Sequence, residues 1–114
     1  MLKQRRIESK KARDSARGEL CTLNIAGVCN YDSATTILAH LPDDSGTGKG
    51  AGKSDDVGCA VYACNLCHDV IDGRLDPSVY GARSDEYYDR KNWYNERALK
   101  RTIRRMLDNG VIKL

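Results

Sequence analysis

The sequence predicts a small mixed α/β (α+β) domain, with two short strands and a short helix held by four cysteines, followed by one long helix. Three observations carry this expectation. The segments TTILAH (35–40) and VGCAVYAC (57–64) are short, apolar and rich in β-branched residues, as strands are. Two cysteine pairs, Cys21 with Cys29 and Cys64 with Cys67, stand before the first strand and after the second. From Ser84 to Asn109 apolar side chains recur at three- and four-residue spacing without a proline.

A length of 114 residues is enough for one domain. It divides into a basic arm (1–17), a cysteine-bearing core (18–76) and a helical segment expected to pack on that core (77–114). The arm sets seven basic side chains, Lys3, Arg5, Arg6, Lys10, Lys11, Arg13 and Arg17, against the two acids Glu8 and Asp14. It has almost nothing apolar to bury, so it is expected to stand outside the fold. Its charge suits a polyanion, although a merely solvated face reads equally well. A second basic stretch comprises Arg97, Lys100, Arg101, Arg104 and Arg105, within a net charge of only +3. The five cysteines and the charged N-terminus point to a reduced, cytoplasmic protein rather than an oxidised secreted one. No apolar run reaches the roughly 18 residues that cross a bilayer, so no membrane partner is expected.

Between the strands lies the glycine-rich loop PDDSGTGKGAGKSDD. Its GTGKGAGKS stretch approaches a phosphate-binding P-loop, but Thr47 stands where the motif needs glycine, and a strand follows instead of a helix. No nucleotide cofactor is therefore expected. Lys49 and Lys53 remain candidates for contacts to DNA phosphates, beside the plainer reading of a connector. After Cys64, NLCHDVIDGRLDP reads as a short helix weakened at Gly73 and ended by Asp76-Pro77. The long helix should begin with Ser84 as its N-cap, carry Asp85 and Glu86 in its first turn, and stop at Asn109-Gly110. Tyr87, Tyr94, Ala98, Leu99, Thr102, Ile103, Met106 and Leu107 form its buried stripe. Trp93 is read as packing rather than as a base-stacking rim residue.

Cys21, Cys29, Cys64 and Cys67 together make a closed tetrahedral thiolate set, which favours a structural Zn²⁺. Cys59 alternates with Val57 and Val61 and is expected to be a small apolar core residue. The two histidines are His40, at the end of the first strand, and His68, directly after Cys67. His68 and Asp72 lie four apart on one helical face, as two ligands to one ion must. An imidazole and a carboxylate suit Mg²⁺, Mn²⁺ or Zn²⁺ with water completing the shell, which describes an open, hydrolytic site.

C-x7-C-N at Cys21 to Asn30, T-x-L-A-H at Thr36 to His40, and A-C-x2-C-H-D-x-I-D-x-R at Ala63 to Arg74 together resemble the HNH (ββα-metal) endonucleases. Within them, the pattern is similar to the small prophage nucleases of the YbcO type, as is the closing GVIKL. A looser similarity runs to phage endonuclease VII, in which a four-cysteine zinc site abuts the catalytic element. The resemblance implies a zinc-stapled ββα-metal, treble-clef-like core that hydrolyses DNA phosphodiesters. It also implies that His40 is the general base and that His68 and Asp72 hold the catalytic divalent ion. Arg74, with Arg5, Arg6, Lys10, Lys11, Lys49 and Lys53, is then expected at DNA. Many HNH enzymes place an acid or histidine just before the base, where this chain has Ala39, so a further ligand is sought among Asp43, Asp44, Asp55, Asp56 and Asp69. The competing expectation is a zinc-stabilised nucleic-acid- or protein-binding module without catalysis.

Overall fold

The computed structural model describes residues 7–41 and 55–113. The elements in chain order are α1 (Lys10–Ser15), β1 (Ile37–His40), β2 (Ala60–Ala63), α2 (Asn65–Ile71) and α3 (Ser84–Asp108). Short 3₁₀ turns occupy Ser33–Thr35 and Pro77–Tyr80. Both strands are shorter than the sequence pattern suggests, because local turns take their outer residues. Asp32 caps the turn that leads into β1. Before β2 the chain turns at residues 56–58, with Gly58 at φ +93°. That turn carries Val57 to the opposite side of the sheet from Val61 and leaves Cys59 half-buried, outside either apolar cluster.

β1 and β2 pair antiparallel, from Ile37 opposite Ala63 to His40 opposite Ala60. A two-stranded sheet is marginal by itself and needs cover. Alternation sends Ala39, Val61 and Ala63 to one face, where they meet Leu23, Ile25, Val28, Val70, Ile71, Tyr94 and Ala98. Leu38, Ala60 and Tyr62 face the other way, onto Ala12, Ala16 and Met106. All four residues of β2 are buried, so this strand is the centre of the molecule.

The outer edge of β2 is closed by two threonines. Thr22 donates to the Tyr62 carbonyl from its amide (2.8 Å) and from its hydroxyl (2.7 Å). The Tyr62 amide donates to Thr102 Oγ1 at 3.1 Å, and the two threonine hydroxyls lie 3.2 Å apart. Edge groups that would otherwise be buried without partners are thereby satisfied.

The basic N-terminal segment is not outside the fold from residue 7 onward. Ser9 caps α1, and Ala12 and Ala16, both 0 % exposed, seat it on Leu38 and Tyr62. Two alanines at helical spacing suffice for close approach, a signal that a count of large apolar residues misses. In α3 the centre of the predicted stripe is buried, with Tyr87, Tyr94, Ala98, Thr102 and Met106 enclosed, while Leu99, Ile103 and Leu107 at its flank are half-buried. Its N-cap is Arg83 rather than Ser84, because the Ser84 hydroxyl is engaged by the Asp76 carboxylate. Trp93 is not packed inside but 45 % exposed. At the helix end, Asn109 and the left-handed Gly110 stop the chain as expected. Among the described residues, no helix is long and apolar enough to cross a membrane.

The Tyr62 hydroxyl lies 2.7 Å from Ser15 Oγ and ties α1 to the sheet. Tyr62→Phe is expected to lower stability by about 1 kcal/mol, the net worth of one such hydrogen bond. Urea denaturation should show a lower midpoint with an unchanged slope.

Candidate active site and cysteine centre

The sulfurs of Cys21, Cys29, Cys64 and Cys67 all lie within 4.8 Å of one another, a set that could hold a metal ion. Those of Cys29 and Cys64 are 3.9 Å apart, near the ~3.8 Å expected between thiolates on one tetrahedral zinc. Backbone and side-chain N–H groups already point at the sulfurs. The Asn24 amide donates to Cys21 (3.5 Å), that of Tyr31 to Cys29 (3.4 Å) and that of Cys67 to Cys64 (3.4 Å), while Asn24 Nδ2 donates to Cys29 (3.4 Å). Such donors stabilise thiolate charge and orient metal ligands. To make these turns, Asn24 and Tyr31 adopt left-handed backbone at φ +45° and +56°. Gly27, between the first two cysteines, has φ +78°, and a side chain there would strike Ala82 at 2.9 Å.

The thiol electrostatics agree with a cation site. Cys64, hydrogen-bonded by Cys21 and Cys67, is held far below the usual thiol range. The contact with Cys64 pushes Cys21 up to about 11, and contacts with Cys21 and Cys64 push Cys67 far above the ordinary value. Adjacent thiols resist ionising together, whereas a bound cation would favour it. The donor set therefore fits a closed metal centre.

His40 closes β1 on the face that looks toward α1. Its Nε2 lies 2.7 Å from Oδ1 of Asp56, a carboxylate with no exposed surface. The other oxygen, Oδ2, accepts from the Ser9 amide (2.7 Å) and from Arg13 Nη1 (2.6 Å). Burial pushes the Asp56 carboxyl up, but the Ser9 amide, His40 and Arg13 outweigh it and hold the group below its usual value. Asp56 stays ionised at neutral pH and cannot donate, so the hydrogen between it and His40 belongs to Nε2. Nδ1 is the ring nitrogen that lies away from Asp56.

α2 presents His68 and Asp72 on one face, with Nε2 of the first 3.0 Å from Oδ2 of the second. The helix ends at Ile71, so Asp72 is its C-cap, yet the four-residue spacing survives. Burial lowers the His68 pKa below its ordinary value, against the pull of Asp72, which favours the neutral, ligand-competent imidazole. A weaker electrostatic influence on His68 comes from the direction of His40. Arg74 Nη2 sits on Asp72 Oδ2 at 2.5 Å and occupies the carboxylate as a cation would. Among the described residues no third acidic, cysteine or histidine group joins this pair within metal-binding reach.

The acids considered as a further ligand are otherwise engaged or lie elsewhere. Asp55 caps the Ile7 amide at 2.7 Å, Asp56 holds His40, and Asp69 faces Arg74 at 3.7 Å. Asp43 and Asp44 lie outside the described residues, as do Arg5, Arg6, Lys49 and Lys53. Lys10 pairs with Asp14 at 2.8 Å, and Lys11 donates to the Gly110 carbonyl at 2.8 Å. The partnership of Asp56 with His40 spans sixteen residues and carries no spacing signature.

The family model described as "Putative nuclease YbcO" matches residues 10–111. The chain is similar to the "Putative nuclease YbcO" of Escherichia coli K12, at 42% identity over 62 residues, which is 54% of this chain and 62% of that protein. The protein of the same name from Enterobacteria phage 82 matches with the same identity and coverage. The chain thus spans under two thirds of the length of these relatives. A solved "putative bacteriophage protein" from Escherichia coli K-12 MG1655 superposes with a TM-score of 0.56 at 32% identity, covering 88% of this chain and all of that one.

Asp56 makes the fold acid-sensitive. A carboxyl whose pKa is depressed on folding contributes stability that is full above its unfolded value, about 4, and is lost as pH falls through its folded value. Asp56→Asn should cost roughly 1.5–3 kcal/mol at pH 7, the worth of hydrogen bonds to a charged group. Melting curves between pH 7 and pH 3 should show the gap between variant and parent closing below pH 4.

Proposed function

The chain belongs to the YbcO family, and from that premise we propose that it is an HNH-type endonuclease that hydrolyses DNA phosphodiester bonds with a divalent cation, as part of phage or prophage DNA recombination or processing. The observation that carries the reading is the fully buried Asp56 carboxylate on His40, 2.7 Å away. A merely structural surface histidine has no need of an ionised, desolvated partner held by an arginine and a backbone amide. The phage origin of one relative supports the biological setting.

In this reading Asp56 fixes the tautomer and orientation of His40. Nδ1 of His40 takes a proton from water as the water oxygen attacks phosphorus, and the bond from phosphorus to the leaving oxygen breaks. Asp56 steadies the imidazolium that forms. His68 and Asp72 would hold the divalent ion, and Arg74 would be released from Asp72 when they do. When bound, the ion supplies positive charge beside the scissile phosphate. Cys21, Cys29, Cys64 and Cys67 would hold a structural Zn²⁺ that staples a ββα-metal core within residues 18–76. Lys10, Lys11 and Arg74, with Arg5, Arg6, Lys49 and Lys53, supply phosphate contacts.

A second reading, a zinc-stabilised binding module, is favoured by one observation: among the described residues His68 and Asp72 have no third protein ligand beside them. A plasmid-nicking assay with Mg²⁺ or Mn²⁺ separates the two, because only the nuclease cuts.

His40→Ala should lower the cleavage rate by about 10²- to 10⁴-fold with metal content and DNA affinity kept, as loss of a general base does. His68→Ala or Asp72→Ala should instead be partly rescued by excess divalent ion. Loss of the cation requirement in either ligand variant, or full cleavage by His40→Ala, rules out these roles.

The cysteine centre has its own test. Elemental analysis should find one zinc per chain. Cys67→Ser should lose it and unfold, since closing such a site contributes folding free energy directly. Cys59→Ser, by contrast, should keep its zinc and melt within a few degrees of the parent.

A further inference from the structure

α3 carries arginines at positions 97, 101 and 105, one per turn on a single face, and all three reach across to the loop that bears Cys21. Arg97 Nη2 donates to the Leu23 carbonyl (2.8 Å), Arg101 Nη1 to Asn24 Oδ1 (3.1 Å) and Arg105 Nη1 to the Leu20 carbonyl (2.5 Å). Among the described residues none of the three meets a carboxylate in an ion pair. They line an open cleft of about 500 Å³ together with Leu20, Asn24 and Tyr31.

Two further features point to what enters the cleft. Tyr31 is 73 % exposed although it is held in a left-handed backbone, so neither burial nor backbone comfort explains an aromatic there. Arg97 has a buried Nε with no hydrogen-bond partner, and burial and the nearby charges of Arg101 and Arg90 work against its own charge. Trp93 holds this crowd in place, with the guanidiniums of Arg90 and Arg97 each 4.3 Å from its ring centre. A row of cations that meets no carboxylate among the described residues, beside an exposed aromatic face, is the pairing that binds a polyanionic strand with exposed bases.

We propose that this cleft binds a single-stranded segment of DNA, its phosphates on Arg97, Arg101 and Arg105 and an unpaired base stacked on Tyr31. The inference rests on the nuclease reading and extends it, assigning the protein a substrate with single-stranded character. Stacking selects unpaired bases because a duplex keeps its base faces covered. The arginines add affinity without reading sequence.

The test uses the full-length, zinc-loaded His40→Ala protein, so that binding is read without cutting, and fluorescein-labelled oligothymidine with its duplex as the comparison. Anisotropy should show tighter binding to the single strand. Tyr31→Gly should weaken that binding about ten-fold, in keeping with loss of one base stack. Glycine relieves the left-handed backbone, so the variant should melt no lower than its parent. Arg101→Gln should reduce the slope of log affinity against log salt by about 1. Equal single-strand affinity in Tyr31→Gly, no preference over duplex, or no binding overturns the inference. Failure of the nuclease reading looks different: the unmodified protein would cut no substrate, while strand binding and its loss in Tyr31→Gly would persist.

Discussion

The convergence of four thiols at the junction of β2 and α2 is the constraint on which the rest of this small fold depends. The sheet has two strands of four residues each, far less than an independent unit needs. The long stretch between α1 and β1 contains only a three-residue 3₁₀ turn. What gives that stretch a fixed course is that Cys21 and Cys29 must meet Cys64 and Cys67. Once they do, Thr22 is delivered to the open edge of β2, and Leu23, Ile25 and Val28 are delivered to the core. Thiols held so close resist ionising together, and a cation held among them would remove that resistance. Local order here therefore rests on these tertiary contacts more than on secondary structure.

A second constraint works from the opposite face of the sheet. Asp56 gathers Ser9, Arg13 and His40 around one carboxylate, so three separate segments of chain meet at a buried charge. Removing any one donor would leave that charge short of partners, the costly side of hydrogen bonding. The orientation of His40 thus depends on α1, and α1 in turn depends on two alanines fitting against Leu38 and Tyr62. The basic character of residues 10–13 is only partly about solvent or ligand, since Arg13 belongs to the interior electrostatics.

Much of this was legible in the sequence where the signal is local. The C-x2-C pair with its flanking helix, the alternation from Ala60 to Ala63, most of the α3 stripe and the Asn109-Gly110 stop are all short-range patterns, and the structure has them, whereas the alternation extended back to Val57 and Cys59 fails at the turn before β2. The one-residue shift of the α3 cap was not readable, because Ser84 is drawn off by Asp76, a tertiary partner eight residues away. The docking of α1 escaped because small residues pack by shape rather than by bulk. Asp56 was visible only as one of five interchangeable acids. Its role depends on where the chain returns after residues 42–54, and no periodicity encodes that. Trp93 misled for a related reason: an indole usually signals a core, but here its faces are taken by arginines.

α3 resolves two demands with one helix. Its inner stripe of Tyr87, Tyr94, Ala98, Thr102 and Met106 covers the sheet and leaves little freedom to shift. That rigidity fixes the spacing of Arg97, Arg101 and Arg105 on the adjoining face, about one turn apart, as a strand of phosphates would require. Their hydrogen bonds to Leu23, Asn24 and Leu20 hold the guanidiniums over the same loop that the cysteines anchor. Like charges placed this way repel, and the folded state tolerates the repulsion because Trp93 offers two π faces and the loop offers carbonyl oxygens. Neither an indole face nor a carbonyl oxygen neutralises a charge, and among the described residues no carboxylate pairs with the three. The electrostatic cost left in the fold would be recovered by a polyanion in the cleft, so in the proposed complex the arrangement would favour the bound state over the free one and tie strand binding to the same cysteine-anchored scaffold.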